Sequence, residues 1–500
     1  MKKTLSLILC LVLLFSCITV AHAGEEYQET ITIGTNADSQ NRDIQNTASV
    51  VDRANATLIF DTLLHYNTET GEVGPCLAET WNVVSETEWN FKLRKDVVFH
   101  DGTPMTAEDV KFSFDRGVQQ ANSGANLKAM KEMVINDEYD VTLFLSKPDP
   151  DIIYKLCDIN LAVFSKDAFD SMDVSEAVLV GSGPYKCTEY IQGSHFSFTR
   201  NDAYWGELPK TKNIVIRYIA EGSARLIALQ TGEIDVCLEP PATDMHYVAE
   251  DPNLTLYQVN GTNLRYVWIN VNVEPFNNKL VRQAISSAIC REDVIAMVYE
   301  GNATLATNVM HPDNEFYDGN VAFYDYDEEK ALQLLAEAGY PNGFDTTIYC
   351  TTGNTQKAVA TAVQAQLAAI GINCKVEAQE SATFAVGVAP GGTYPLAVDG
   401  WGGYATGPDK AMRTVFYTGA ATNRCNISDP VVDALIDKAF STDNQVRKEA
   451  YSELEAYLME ECVWVPIAIE RLNVATKKEV QGFTKPFGTI HQYRNLFIVK

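Results

Sequence analysis

Residues 88–110 read EWNFKLRKDVVFHDGTPMTAEDV. Trp89, Phe91 and Leu93 alternate with Asn90 and Lys92, the period of a strand with one buried face. Asp101-Gly102 ahead of Thr103-Pro104 is a turn, because glycine permits positive φ and proline fixes it. Thr106 then offers its hydroxyl as an N-cap, and Glu108 and Asp109 put negative charge in the first turn of a helix over 107–118. Strand, turn and capped helix in one short stretch predict mixed α and β layers, not a sandwich or a bundle.

The same mixture continues outward in both directions. Alternation predicts strands at Thr30–Gly34, Val141–Leu145, Asn213–Ile219, Tyr266–Val273, Ile372–Val376 and Tyr394–Val398. Helical spacing is expected over Ala54–Leu64, Ser223–Leu229, Lys279–Met297, Asp327–Ala338, Thr361–Ile370, Pro430–Phe440 and Val446–Glu460. Gly232, Gly339 and Gly371 stand just past three of these helices, as helix stops do. There is no internal repeat.

Five hundred residues predict about three domains. Apolar residues at 46% and charged residues at 21% are ordinary globular values, which exclude disorder, collagen and coiled coil as the main architecture. Thirty-nine basic against 66 acidic residues give a net charge of −27, a poor match for nucleic acid or anionic lipid. Met1-Lys2-Lys3, the apolar run Leu5–Val20 and Ala21-His22-Ala23 form a secretory signal, with cleavage expected after Ala23. Leu14-Phe15-Ser16-Cys17 also resembles a lipobox, so a lipid on Cys17 stays open. Both readings export the chain. Nine cysteines follow the signal, without a C-x-x-C, and are expected to be mainly buried free thiols.

Catalytic signatures are absent. No two of the seven histidines stand three or four apart, and there is no P-loop, no G-x-S-x-G elbow and no G-x-G-x-x-G after a strand. Trp81, Trp89 and Trp205 read as packing aromatics, and His100 as a structural hydrogen-bonding group.

A colinear set of stretches carries a resemblance. Pro75–Trp81, Glu88–Val110, Gly181–Tyr185 and Asn201–Gly206 are followed by Ala228–Asp235, Val281–Ala284, Glu300-Gly301, Leu335–Tyr340 and Ile370–Ile372. Together they resemble the family 5 extracellular solute-binding proteins of ABC importers, whose members receive peptides or nickel chelates. The resemblance implies an α/β fold of two lobes, periplasmic-binding-protein-like (type II), with a hinge and an extra subdomain in lobe one. It implies lobe one at 24–268 with an insertion at about 52–180, lobe two at 269–473, and a return to lobe one at 474–500. It implies a monomeric receptor outside the cytoplasmic membrane. That receptor captures a small peptide or similar polar solute and delivers it to an ABC permease, without enzymatic activity, metal or other cofactor. A nickel-chelate or other non-peptide solute is the alternative within the fold. A secreted hydrolase or a signalling co-receptor is the alternative of another class.

Asp399-Gly400-Trp401-Gly402-Gly403-Tyr404 is the stretch expected to face the ligand, since glycine lets backbone approach a solute and the aromatics supply rigid area. In the peptide-binding relatives this stretch carries an aspartate that pairs with the peptide ammonium. Here the matching position is Gly403 or Tyr404, with Asp399 or Asp409 as substitutes. Lys357 and Arg413 are the candidates for a ligand carboxylate, against a reading as solvated surface charges. Asn36, after the first strand, is expected on the opposite wall.

Overall fold

The computed structural model describes residues 26–402, 407–486 and 490–500. The signal segment, Cys17, Gly403 and Tyr404 lie outside them.

Two long strands, Leu254–Ile269 and Trp464–Lys477, run antiparallel as a ribbon that holds the molecule together. Their pairing has two parts. Leu254 to Asn260 pair with Lys477 to Arg471, and Leu264 to Trp268 pair with Ile469 to Trp464, with the register broken between Asn260 and Leu264. Other strands add to each part. Val236–Leu238 joins the first part, followed by Thr30–Thr35, Asn213–Tyr218, His195–Arg200 and Tyr185–Ile191. Leu396–Trp401 joins the second, followed by Phe344–Thr351 and Ile372–Gln379. The result is one eleven-stranded sheet with an interruption in the middle.

Each side of the interruption has its own core, because side chains alternate across a strand. Tyr266 and Trp268 point to one face, where Tyr266 stacks on Trp464 at 3.6 Å in a core shared with Tyr451, Leu454 and Phe416. Val267 and Ile269 point to the other, against Ile285, Val363 and Val465. Across the interruption Ile31, Ile33, Phe60, Tyr185, Phe198 and Val474 form a third core. A separate four-stranded sheet carries a fourth core of Trp89, Phe91, Phe114 and Leu143; its order is Ala78–Ser85, Glu88–Leu93, Asp140–Leu145, Met130–Asp137. These are the two lobes and the extra subdomain.

The Glu88–Val110 stretch folds as its residues dictate. Glu88–Leu93 is a strand, Gly102 takes φ +92° in a turn closed by Thr103 N–H donating to Asp101 Oδ1 (2.9 Å), and Ala107–Val118 is a helix. Thr106 and Asp109 form a full capping box. His100 Nε2 meets the Gly183 carbonyl oxygen (2.9 Å), a structural contact, and burial drives its pKa down to about 4.

Five expectations need correction, and the first is the helix expected over Thr361–Ile370, which is the longer Asn354–Ala369. The helix expected over Lys279–Met297 is two, Lys279–Ala288 and Arg291–Tyr299, parted by extended backbone at Ile289 and Cys290. Arg291 opens the second helix by sending its guanidinium inward to the Pro466 and Tyr324 carbonyls. The helix expected over Ala54–Leu64 is Val50–Ile59, and Phe60 is extended. The strand expected at Tyr266–Val273 is the sixteen-residue Leu254–Ile269. The strand expected to stop at Val398 is Leu396–Trp401, so Asp399, Gly400 and Trp401 belong to it. The missed half of Leu254–Ile269 is only partly buried, so it lacks the clean alternation that marks a strand with one buried face. The nine described cysteines are free thiols, seven of them buried.

Phe91 is fully buried in the subdomain core. Phe91→Ala is expected to cost about 3–5 kcal/mol, read as a lower denaturant midpoint.

Candidate ligand cleft

Strand direction places the site. Thr30–Thr35 runs parallel to Val236–Leu238 and Asn213–Tyr218, and all three point their carboxyl ends at the interrupted ribbon: Leu238 lies beside Val474, three residues before the break. Leu396–Trp401 runs the opposite way across the break, with Leu396 beside Ile269 and Trp401 beside Leu264. Phe344–Thr351 is parallel to it. The carboxyl ends of both half-sheets therefore face one another across residues 260–264. Open α/β sheets bind ligands off the carboxyl ends of their strands, and clefts between lobes are favoured sites.

The floor of this cleft is polar and tightly paired. Asn36 Nδ2 donates to Glu239, which follows Val236–Leu238 in a left-handed conformation (φ +47°). Arg225 is buried beneath, donating to the carbonyls of Ile219, Ala220, Leu238 and Glu239. At the break, Glu470 accepts from Asn263 Nδ2 (3.0 Å) and Arg265 Nη2 (2.6 Å), and His311 Nε2 meets the Gly261 carbonyl (2.8 Å). A side chain on Gly402 would touch Thr262 Oγ1, so the glycine lies against the break itself.

A second bridge joins subdomain to the other lobe. Asp151 and Arg447 are each 2% exposed and form an ion pair, with Arg447 Nη2 donating to Asp151 Oδ1 at 2.5 Å. The other carboxylate oxygen accepts from the backbone N–H of Asp409 (3.0 Å) and Lys410 (3.4 Å), capping the helix Pro408–Phe416 from across the cleft. Gly407 stands at φ +113°, and a Cβ there would fall 2.3 Å from Asp151 Oδ2, so only glycine fits. Burial raises the Asp151 carboxyl against the opposing pull of Arg447. Burial and then the Asp151 charge lift Asp409 to about 6, and burial lifts Glu315, near Arg447 and Asp151, to about 7.

The residues singled out from sequence fall as follows. Trp401 ends its strand half-buried against the Tyr266 core, and its indole N–H has no acceptor among the described residues. Gly402 follows it, exposed. Asp399 is held by Arg424 and by the Gly400 N–H (2.8 Å). Asp409 is buried and accepts from Arg413 Nε (3.0 Å). Arg413 is occupied by Asp409, Asp437 (2.8 Å) and the Ile436 carbonyl. Lys357 is exposed near the start of Asn354–Ala369, bordering a shallow depression with Met297, Val298 and Thr361. Asn36 is exposed at the cleft floor.

Asp151, Arg447, Glu239 and Glu470 were not singled out. Arg447 did carry a signal: it shares the i, i+4, i+7, i+11 stripe of Tyr451, Leu454 and Leu458, where a cation needs a buried partner. Among the described residues no cluster of histidine, cysteine or carboxylate side chains could hold a metal, and no helix is long and apolar enough to cross a membrane.

Fold and cleft together define a two-lobe solute-binding protein. Bacterial extracellular solute-binding proteins, family 5 Middle, match residues 72–423, and the chain belongs to this family. Heme-binding protein A of Haemophilus influenzae is 27% identical over 471 residues, covering 87% of this chain and 86% of that protein. The dipeptide-binding protein of Escherichia coli is 27% identical over 482 residues, covering 89% and 90%. The structure of HbpA2 from Haemophilus parasuis superposes with TM-score 0.88 at 26% identity, covering 94% of this chain and all of that one. The family is one of binding proteins that serve ABC importers, and this chain is a solute-binding receptor of that class.

Asp151→Asn keeps an acceptor for the helix N-terminus but strands the Arg447 charge. It is expected to cost about 3–5 kcal/mol, read by thermal or denaturant unfolding. A pH effect follows from the raised carboxyls. Glu455 is lifted by burial to about 8 and Glu315 to about 7. Between the ordinary glutamate value and these values the folded chain holds protons that the unfolded chain releases, so stability falls as pH rises. The depressed histidines, His65, His100, His311 and His491, act in the opposite sense only below about 6.5. The melting temperature is therefore expected to drop between pH 6.5 and 8, and Glu455→Gln to flatten that drop.

Proposed function

We propose that this receptor closes its two lobes over a short peptide or similar polar solute and hands it to the membrane permease unchanged. The observation that carries the reading is the convergence of strand carboxyl ends from both half-sheets on the broken ribbon. The proposed division is lobe one at 24–268 with its insertion at about 52–180, lobe two at 269–473 and the return at 474–500. Both crossings fall inside the shared ribbon, and bending is proposed at its register break, residues 261–263. Trp401 and Gly402 form one wall and Asn36 the other; Gly403 and Tyr404 lie outside the described residues. A non-peptide solute is the second reading, favoured by Gly403-Tyr404 standing where peptide-binding relatives carry a carboxylate. Export through the Leu5–Val20 signal places the receptor outside the cytoplasmic membrane, with Cys17 as the lipid site if the lipobox is used.

A panel of dipeptides, tripeptides and metal chelates is the test. A bound solute is expected to reduce the radius of gyration in solution scattering and to shift tryptophan fluorescence. No response across the panel, or chemical conversion of a solute by the pure protein, overturns the reading. Trp401→Ala is expected to weaken binding by about 2 kcal/mol, roughly thirtyfold, with cooperative unfolding retained. Collapse of the fold in this variant would make Trp401 a packing residue only.

A further inference from the structure

Among the described residues the helix Pro408–Phe416 has no cap from its own lobe. Its N-cap position is Gly407, which has no side chain to offer. Pro408 carries no N–H, and the Ala411 N–H already donates to the Gly407 carbonyl (3.2 Å). The free donors of the first turn are therefore the Asp409 and Lys410 N–H groups. Both go to Asp151 Oδ2, at 3.0 and 3.4 Å, from 258 and 259 positions away. The helices Pro430–Ala439 and Asn444–Glu461 of the same lobe do not borrow in this way. Asp429 and Asp443, at their own N-caps, accept from the N–H groups of Val431 and of Gln445 and Val446.

Asp151 reaches the helix from the other body. The segment that carries it is fixed to lobe one, where Arg53 Nη2 donates to Asp158 Oδ1 (2.8 Å) and Asn160 Nδ2 to the Thr47 carbonyl (2.9 Å). Ile159 and Phe164 belong to the lobe-one core of Ile31 and Phe198. The helix is fixed to lobe two, because Met412, Val415 and Phe416 lie in the Tyr266 core on which Trp401 packs. Parting the lobes therefore takes the cap away and leaves both N–H groups to water. A further ion pair, Lys485 Nζ to Asp313 Oδ1 (2.6 Å), also crosses, but its side chains are 34% and 32% exposed and solvent screens such a pair. The Asp151–Arg447 pair itself returns little against its lost hydration, whereas an N-cap is a net gain for its helix.

We propose that Asp151 is a closure-dependent cap: it completes the helix behind Trp401 only when the lobes meet, and so favours the closed receptor without touching the solute. Asp151 is thus a positioning residue. The inference rests on the reading of this protein as a receptor whose lobes close.

Two uncharged pairs isolate the cap. Asp151→Asn with Arg447→Met keeps an acceptor for the helix and strands no charge. Asp151→Ala with Arg447→Met removes that acceptor. Gly407→Ala blocks the approach from the other lobe, since its Cβ would fall 2.3 Å from Asp151 Oδ2. In solution scattering of the empty mature protein, the pair with Asp151→Ala and the single Gly407→Ala are each expected to show a larger radius of gyration than the pair with Asp151→Asn, which is expected to match the parent. Ala-Phe and glutathione, titrated calorimetrically, are expected to bind the pair with Asp151→Ala about 2- to 30-fold more weakly than the pair with Asp151→Asn, by one factor for both solutes. Should the pair with Asp151→Ala not fold, the radius of Gly407→Ala against the parent decides. A radius equal in all variants overturns the closure-dependent cap, and with solutes still binding it leaves the receptor reading standing. Unequal factors for the two solutes make Asp151 a solute contact and overturn the cap as well. Failure of every peptide and chelate to bind, with the radius shifted as expected, overturns the solute reading and supports the cap.

Discussion

The antiparallel ribbon of Leu254–Ile269 and Trp464–Lys477 is the constraint on which the rest depends. Backbone groups in a buried strand must be paired, so a strand shared by two half-sheets ties their positions together. The same strand cannot stay regular where the two sheets part. The register break at Asn260–Leu264 is where the pairing gives way, and the polar groups freed there are taken up by side chains: Glu470 by Asn263 and Arg265, and the Gly261 carbonyl by His311. Three cores packed on two sides of that break make two bodies joined by a narrow strip. A receptor that must open and close needs that arrangement, since its lobes have to stay rigid while the connection bends.

The second link between the bodies is of a different kind. The Asp151–Arg447 pair is buried, and burying two charges costs more in lost hydration than most pairs return. The pair is tolerated because its geometry is saturated: Asp151 also caps the Pro408–Phe416 helix, and Gly407 lets the backbone come close enough for it to do so. Such a contact contributes little net stability when made, but it is specific. It fixes which surface of the subdomain meets which helix, with the Asp409 and Lys410 N–H groups of the helix's first turn set against Asp151. Raised carboxyls nearby, Asp409 and Glu315, share the same cause: low access to water and a neighbouring negative charge.

Much of this was legible from the residues. The capping box at Thr106–Asp109, the turn at Gly102 and the strand at Glu88–Leu93 obey local rules that leave few alternatives. The stretches that carry the family resemblance are scaffold: Trp89 is core, and Trp205 donates to the buried Asp61. Element limits are harder to read. Leu254–Ile269 reads short because its lobe-one half is only partly buried, and Lys279–Met297 reads as one helix because two residues of extended backbone leave the apolar spacing almost intact. Arg413 reads as available for a ligand because sequence gives no sign that Asp437 reaches it, although Asp409, four residues earlier on the same helix, is a partner the spacing offers.

By itself the sequence determined the alternation of strands and helices, the excess of negative charge, the absence of local catalytic motifs and, through its ordered stretches, the class of receptor. Those properties depend on neighbours along the chain or on totals over it. Only the tertiary structure decided which charges are spent and which are left over. Asp151 and Arg447 are 296 positions apart, and the Lys410 N–H reaches Asp151 from 259 positions away only because the ribbon turns one lobe toward the other. Electrostatic energy depends on separation in space and on exclusion of water, and neither quantity is written in the spacing of residues along the chain.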